Sequence, residues 1–436
     1  MKHGYRQSAL TAAVTAGILL SASQAYGAGF QISESSVSGL GRAFAGAGVA
    51  GDDLSDMFYN PAGLMLLSDE RQFQIGGTFI SSSGKVVNNG STQSFASTGG
   101  ILTVPVTGDD ADGGEDSLVP NLYYASPRFG NFRYGININA PFGLATDYKD
   151  GWFGQFHALR SELTTIDLNP SVAYAVTPDF TIGGGISLQK ADAELSQAQF
   201  LGPGLPAGEA KVEGDDTSVG FNFGLMYAPT ADARIGFGYR SKIEQEVDGD
   251  LKISIPGLAV PDAGATATVE LPETAYLSAF KQLNSQWGFL ASARWTKWSR
   301  FDELRIEFDN GLPDSVTDES WEDVWTFSVG LNYQATQKWD VRFGVAADES
   351  PVPDAEHRTP RIPDDDRTWL TVGASYHPTT NVSVDFGFAH LFIDDSEIDN
   401  TIELVSTAPG AARDNIRADI ENPDANLLGV QVQVKF

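Results

Sequence analysis

The closing stretch of the chain, "NLLGVQVQVKF" at residues 426–436, alternates strictly between apolar residues and small or polar ones. An extended strand with this period carries on one face Leu428, Val430, Val432, Val434 and Phe436. The same period of two recurs at 219–227, 235–239 and 382–388. The sequence therefore predicts an all-β fold. Alternation alone leaves two classes open, a soluble sandwich with the oily face inside and a membrane barrel with that face outside.

The lengths of the connections decide between these two classes. Short, polar or proline-marked turns are predicted at 127–131, 177–179, 229–232, 283–285, 335–337 and 378–381. Long segments alternate with them at 84–118, 141–160, 198–214, 254–267, 309–320, 349–366 and 394–424. Six short and seven long connections make thirteen, and hence about fourteen strands. Short turns at one end, long loops at the other and an even number of strands are typical of outer-membrane barrels. We therefore expect a transmembrane antiparallel β-barrel over residues 70–436.

The first 27 residues read as a secretory signal. Lys2 and Arg6 precede an apolar run at 9–20, and the small residues Ala25 and Gly27 follow it. The run is shorter than the roughly 20 residues of a membrane-spanning helix; a buried N-terminal helix is the alternative. Export, the barrel pattern and the absence of cysteine place the protein in the outer membrane of a Gram-negative bacterium, without disulfides or thiolate metal sites. The net charge of −29 argues against nucleic acid as a partner.

Residues 28–69 precede the first predicted strand and contain a glycine-rich motif. Gly46 to Gly51 fit the spacing G-x-G-x-x-G, but a dinucleotide loop must open a helix in a βαβ unit, which an antiparallel barrel does not offer. A barrel of about fourteen strands has a lumen wide enough to leak. We therefore predict that residues 28–69 form a plug, or hatch, inside the lumen; a disordered leader is the alternative.

Several motifs resemble one known family. "GAGFQISESSVSGLGRAFAGAG" (27–48), "NPAG" (60–63), "NAPFGLATDY" (139–148), "LNPSVAY" (168–174), "SPVP" (350–353) and "RIPDDDRTWLTVGASY" (361–376) are similar, in this order, to the FadL/TodX family of outer-membrane transporters for long-chain fatty acids and hydrophobic compounds. The resemblance implies a fourteen-stranded barrel with an N-terminal hatch, passive uptake of hydrophobic molecules and their exit sideways through the wall. It also implies a hatch motif at Asn60, Pro61, Ala62 and Gly63.

The predicted third strand ends in "NINAPFG" at 137–143. Proline removes a ladder donor and glycine permits a bulge, so the strand is expected to break here. The resemblance implies that such a break opens the wall, and we place a lateral opening at Asn137, Asn139, Pro141 and Gly143. An ordinary strand end is the alternative.

The substrate-binding residues are less well marked. The candidates are Phe30 in the predicted plug and, in two long loops, Phe200, Leu201, Leu205 and Leu258. Relatives that carry fatty acids use basic pocket residues, but the matching stretches read "KAD" (190–192) and "WED" (321–323), without a pair of cations. Lys190 and Arg160 are possible substitutes; a solvated surface position is the alternative for each. Both long-chain fatty acids and neutral aromatic or aliphatic hydrocarbons therefore remain open as substrates.

Other classes of function find less support in the sequence. The histidines beyond the signal lie in no recognisable nucleophile motif, so we expect no enzyme, no catalytic residue, no cofactor and no metal site. A structural or adhesive barrel without transport is the remaining alternative. Acidic runs at 109–116 and 364–366 are expected to be solvated loops, bridged to lipopolysaccharide by divalent ions. The other partners expected are a hydrophobic small molecule and membrane lipid, with the protein a monomer.

Overall fold

The computed structural model describes residues 29–97, 100–202, 205–404 and 412–436. The predicted signal at 1–27 lies outside these ranges. Within them, no helix is both long enough and apolar enough to cross a membrane.

Fourteen antiparallel strands pair in chain order and close on themselves, since β1 pairs with both β2 and β14. The strands β1 to β14 are Gln72–Asn88, Asp116–Ala125, Phe132–Asn139, Arg160–Thr177, Phe180–Gln199, Gly208–Thr230, Ala233–Arg240, Thr274–Gln282, Trp287–Thr296, Val324–Gln334, Trp339–Asp348, Arg367–Thr379, Val382–Ile393 and Ala412–Lys435. The prediction of a fourteen-stranded antiparallel barrel is confirmed. Because closure pairs every wall strand on both sides, backbone polar groups find partners without water.

The two ends of the barrel differ as expected. Each of the six predicted short turns joins two neighbouring wall strands at one end, where β1 begins and β14 ends. At the other end, shorter strands extend the wall or form loop hairpins: Thr92–Ser97, Gly100–Pro105, Ala111–Asp112, Gly143–Asp147, Ile243–Ser254, Ala263–Leu271, Glu303–Phe308, Ser315–Asp318 and Ser396–Glu403. A 3-10 helix, Trp298–Arg300, lies among these loops.

The wall is inverted relative to a soluble protein. In β14, Leu428 is 58% exposed, whereas Gln431 is 1% exposed and Gln433 is buried as well. In β6, Val219 and Phe221 are exposed and Asn222 is buried. An apolar outer band is unfavourable in water but matches the hydrocarbon core of a bilayer. The alternation is therefore that of a membrane barrel, with the apolar face toward lipid and the polar face toward the lumen.

Residues 29–67, which we call the inner segment, lie within the barrel. They contain two short helices, α1 Val37–Leu40 and α2 Asp56–Tyr59, and a 3-10 helix, Pro61–Leu66. The side chains fully buried between the segment and the wall include Val37, Leu40, Val49, Leu54, Met57 and Leu64. A short exposed link, residues 68–71, leads to β1.

Inward-facing glycines of the wall let the backbone of the inner segment come very close. A Cβ atom added at Gly344 of β11 would lie 2.1 Å from the carbonyl carbon of Arg42, and one at Gly183 of β5 would lie 2.5 Å from the amide nitrogen of Ala62. Gly373 of β12 meets Gly41 in the same way. Real Cβ atoms do not approach backbone so closely, so these positions require glycine.

Polar contacts fix the same interface. Arg42 of the inner segment pairs with Asp52 at 2.6 Å, and Arg342 of β11 reaches that carboxylate at 3.3 Å. The amide of Gln431 in β14 accepts from the Val37 N–H at 3.1 Å and donates to Asp53 at 3.3 Å. Buried charges of this kind are stable only with partners, so removing one partner is expected to be costly.

Two adjacent glycines allow a matched test of this packing. We expect Gly183→Ala to destabilise the protein by about 1–3 kcal/mol, because the new methyl group overlaps Pro61 and Ala62. Gly184→Ala should be nearly neutral, since its Cβ would meet only the Asn222 carbonyl oxygen, at 3.5 Å. The measurement is the temperature at which the folded barrel converts to the unfolded form on a denaturing gel. Equal temperatures for the two variants would contradict the contact.

Candidate functional site

An apolar cavity lies inside the barrel at the end that carries the long loops. It encloses about 900 Å³, counting the space at its opening. Aliphatic side chains from neighbouring strands form most of its wall, among them Leu163, Leu195, Val212, Val247, Leu271 and Ile306. Transfer of an alkyl chain from water to such a surface is favourable by roughly 25 cal/mol per Å². The cavity therefore suits the hydrocarbon part of a ligand.

Phe30 of the inner segment closes one end of this cavity. Its ring lies 4.7 Å from that of Trp298, 5.4 Å from Phe301 and 5.7 Å from Trp321, measured between ring centroids. Its carbonyl accepts from the Gly143 N–H at 2.9 Å, and the Ile32 N–H donates to the Pro141 carbonyl at 2.9 Å. The start of the inner segment thus joins the cavity to the end of the third strand.

The wall is interrupted at this third strand. β3 pairs with β2 only from Gly135 to Ile138, so within the continuous range 100–202 the β2 residues 116–121 have no ladder partner on β3. After a break at 140–142, the chain resumes as strand Gly143–Asp147, which pairs with β4. Asn137 and Asn139 are buried beside the gap and hydrogen-bond to each other at 2.8 Å. The proline and glycine of "NINAPFG" thus coincide with a gap between β2 and β3.

Arg361 brings a positive charge to the apolar cavity. Its guanidinium donates to Ser161 Oγ at 3.0 Å and to Gln197 Oε1 at 2.8 Å. Among the described residues, no carboxylate oxygen lies within 4.0 Å of the Arg361 guanidinium nitrogens, the distance that defines an ion pair. Burial lowers the pKa of Arg361 to about 10, so the group remains protonated at neutral pH. A cation held by neutral acceptors can still take an anionic partner.

Glu319 is a second ionisable group of the cavity. It follows the loop strand Ser315–Asp318 and is 2% exposed. Burial raises the pKa of Glu319 to about 8, although the charge of Arg361 acts against this rise. The carboxyl group is therefore mostly neutral at pH 7 and leaves the charge of Arg361 largely uncompensated.

Comparison with known proteins identifies the family of this barrel. Residues 18–436 match the model of the family described as outer membrane protein transport protein (OMPP1/FadL/TodX). The chain belongs to this family. It is 32% identical to the long-chain fatty acid transport protein of Escherichia coli O6:H1, over 89% of this chain and 91% of that protein. It is 31% identical to outer membrane protein P1 of Haemophilus influenzae strain Rd, over 89% of this chain and 90% of that protein.

Solved structures agree with this assignment. The crystal structure of a Pseudomonas aeruginosa FadL homologue superposes with a TM-score of 0.81 at 26% identity, covering 94% of this chain and all of that one. The Ralstonia pickettii toluene transporter TbuX shares the fold, with a TM-score of 0.65 at 20% identity over 92% of this chain and 100% of that one. The chain is thus a FadL/TodX-family barrel of the Gram-negative outer membrane, and it belongs to a family of transporters.

The two cations predicted for the pocket lie elsewhere in this family member. Lys190 is exposed and contacts Asp192 at 2.6 Å and Asp215 at 3.8 Å. Arg160 lies among four carboxylates, those of Glu115, Asp147, Glu162 and Glu194. Neither side chain lines the apolar cavity. Arg361 is the cation that does, and the sequence had marked it only as part of "RIPDDDRTW".

The other predicted residues occupy three places. Phe30 lines the cavity, as expected of a pocket residue. Phe200 stacks on Phe95 of a loop hairpin at 5.5 Å, and Leu201 is partly buried. Leu205 and Leu258 are each more than 60% exposed in their loops. The loop residues thus lie outside the cavity, and their part in substrate capture remains a prediction.

The predicted hatch motif lies where the inner segment meets β5, β6 and β7. Asn60 Oδ1 accepts from the Ala62 N–H at 3.0 Å and so caps the 3-10 helix that begins at Pro61. Asn60 Nδ2 donates to the Leu225 carbonyl of β6 at 3.0 Å. Gly63 lies against the Gly48 carbonyl, where a Cβ would come within 2.9 Å. Asn60 therefore ends α2, begins the 3-10 helix and anchors both to the wall.

The acidic run at 364–366 is only partly solvated. Asp364 is buried and accepts from the Gly29 N–H at 3.0 Å and from Ser350 Oγ at 2.8 Å, while Asp365 pairs with Arg358 at 2.8 Å. Asp366 is exposed. The expectation of a solvated loop is wrong for Asp364, because this carboxylate ties the loop to the start of the inner segment.

Glu319→Gln tests the burial of this carboxyl group. The folded pKa of about 8 lies above the ordinary 4.5, so the stability of the wild type should fall as pH rises from about 4.5 to about 8. The variant cannot ionise there, and its unfolding temperature relative to wild type should rise steadily between pH 5 and pH 8. The exposed neighbour Glu322 provides the control Glu322→Gln. A pH-independent difference for Glu319→Gln would show that the group is not buried as described.

Proposed function

We propose that this barrel takes up long-chain fatty acids passively, with the hydrocarbon chain in the apolar cavity and the carboxylate at Arg361. The observation that carries the proposal is a partly buried guanidinium on an aliphatic cavity, bound only to neutral acceptors. A neutral hydrocarbon would gain from the aliphatic wall but would make no use of this charge. The names of the relatives, which are long-chain fatty acid transport proteins, support the same substrate class.

Uptake without an energy source requires moderate affinity. Burial of the alkyl chain favours binding, while the hydrogen bonds of Arg361 to Ser161 and Gln197 share its donors with any carboxylate. A ligand that bound much more tightly would dissociate too slowly to pass on. The cavity thus serves as an intermediate stop between the extracellular loops and the membrane.

We further propose that the inner segment is a hatch that blocks the periplasmic route. Its backbone lies directly against wall glycines, and the Arg342–Asp52 ion pair joins it to β11. The gap between β2 and β3 lies beside the contact of Phe30 and Ile32 with the broken strand. Exit sideways through this gap, at Asn137, Asn139, Pro141 and Gly143, is the route that leaves the hatch in place. Contact of the outer face with lipopolysaccharide remains a prediction.

Arg361→Gln tests the proposed substrate class. The variant should weaken oleate binding by roughly 10- to 100-fold, the range expected for loss of a charged hydrogen bond of roughly 1.5–3 kcal/mol, and should leave oleyl alcohol unaffected. Displacement of a fluorescent fatty acid from purified protein measures both ligands. Arg160→Gln is the matched control, because Arg160 lies outside the cavity. Equal affinities of wild type and Arg361→Gln for oleate would refute a carboxylate site and favour neutral hydrocarbons.

A second pair of variants tests the lateral exit. Val119 is buried on the part of β2 that lacks a β3 partner and packs in one cluster with Ile32 and Ala140, whereas Leu118 points the other way. Val119→Trp should fill the gap and lower oleate uptake by cells severalfold while oleate binding to purified protein persists. Leu118→Trp should transport normally. Normal uptake by a folded Val119→Trp protein would place the exit elsewhere.

A further inference from the structure

The wall has a second interruption, between β6 and the strand that continues β7. The ladder of β6 with β7 ends at the pair Asn222–Arg240, and the ladder of β6 with strand Ile243–Ser254 begins at Asp215–Asp248. Between these pairs, six residues of β6 face seven residues, 241–247, so the register shifts by one. On the other side of this stretch, the pairs Arg240–Thr274 and Ile243–Leu271 lie in the same register, so no extra residue is inserted there. The disturbance is therefore confined to one seam of the barrel.

Side chains replace part of the missing ladder at this seam. The Phe221 N–H donates to Ser241 Oγ at 2.9 Å, and the Glu246 N–H donates to Asp216 Oδ2 at 3.0 Å. A backbone bond also joins the two sides, from the Ser241 N–H to the Phe221 carbonyl at 2.9 Å. Backbone groups facing lipid must be satisfied, and here short polar side chains satisfy two donors locally. The two strands can therefore separate at this seam at less cost than in an intact ladder.

The side chain of Ile243 points into the lumen and covers Gly220 of β6 across the seam. A Cβ added at Gly220 of β6 would lie 2.7 Å from Ile243 Cγ1, so glycine leaves the room that the isoleucine takes. Ile243 is 6% exposed. On the outer side of the same seam, Val219 and Phe221 are exposed within the apolar band. Ile243 thus covers the seam on the lumen side, opposite the apolar outer band.

Two internal cavities reach this seam. Gln245 and Val247 line the apolar cavity, whereas Ser241 and Ile243 line a smaller cavity of about 440 Å³ that extends to Pro141 and Phe142 at the first gap. The smaller cavity therefore runs between the two interruptions of the wall. The two cations nearest the seam are already paired, Arg240 with Asp167 and Lys242 with Glu244 and Glu270, so neither is free to bind a head group.

We propose that the seam between β6 and residues 241–247 is a second passage toward the membrane, closed by Ile243 and suited to an aliphatic chain. The ligand class is an alkyl chain, which can come from a substrate in the cavity or from a lipid of the outer leaflet. The first source rests on the proposed function; access from the membrane does not. Labelling and transport therefore test the two sources separately.

Access from the membrane is measured by labelling a single cysteine, since the chain contains none of its own. Ile243→Cys in outer-membrane vesicles should react with a long-chain alkyl maleimide at least tenfold faster than Leu290→Cys. Leu290 is a fitting control because it is fully buried in β9, where the ladders on both sides are continuous. Equal rates for the two cysteines would overturn the passage, whether or not the protein transports fatty acids.

Transport is measured with a reversible staple. Gly220→Cys with Ile243→Cys brings two thiols together across the seam, since a Cβ at Gly220 would lie 2.7 Å from Ile243 Cγ1; oxidation should lower oleate uptake at least twofold, with recovery on reduction. The control staple is Leu225→Cys with Phe237→Cys, a ladder pair of β6 and β7, and it should have no effect. Unchanged uptake by the oxidised seam variant, when its reduced form transports oleate, would refute exit of substrate there. Failure of the reduced and wild-type proteins alike to take up oleate would instead refute the proposed function.

Discussion

The architecture depends on direct contact between two backbones, that of the inner segment and that of the wall. Glycine at Gly183, Gly344 and Gly373 removes the side-chain layer that would otherwise hold them apart. In a barrel of this size the lumen would otherwise be open, because inward side chains fill only barrels of about eight strands. Close contact instead lets a segment of some forty residues occupy the lumen, because its own side chains are mostly small. Substrate must then move around this segment or through the wall.

This constraint gives the apolar cavity and the wall gaps their arrangement. The cavity lies above the tightly packed contact, at the end with the long loops, where aliphatic residues replace the glycines. Only the first residues of the inner segment reach it, through Phe30, and they are held by the broken third strand and by Asp364. The part of the segment that lines the cavity is thus the part bound to loops and to an interrupted strand, whereas the rest is bound to the continuous wall.

The sequence predicted the barrel well because its signals are periodic and repeated. Every wall strand must alternate between a lipid-facing and a lumen-facing side, as β6 and β14 do. Every pair of neighbouring strands must also be joined by either a short turn or a long loop. The same period of two indicates that the two cations predicted for the pocket, Lys190 and Arg160, point away from the lumen. Lys190 lies two residues after the outward-facing Leu188 and therefore points to the lipid side. Arg160 precedes the outward-facing Ile166 by an even number of residues on the same strand, so it points outward as well. Arg361 lies in an irregular loop without a period, so its position in the cavity required the tertiary structure.

The most direct test of the account asks whether the inner segment stays in the barrel while substrate passes. Val37 and Gly429 face each other across the interface, since a Cβ at Gly429 would lie 2.9 Å from a Val37 methyl group. A disulfide between Val37→Cys and Gly429→Cys should tie α1 to β14. The measurement is the rate of oleate uptake by cells carrying this variant, oxidised and reduced. We expect equal rates, because substrate leaves through the wall; loss of uptake on oxidation with recovery on reduction would contradict the account.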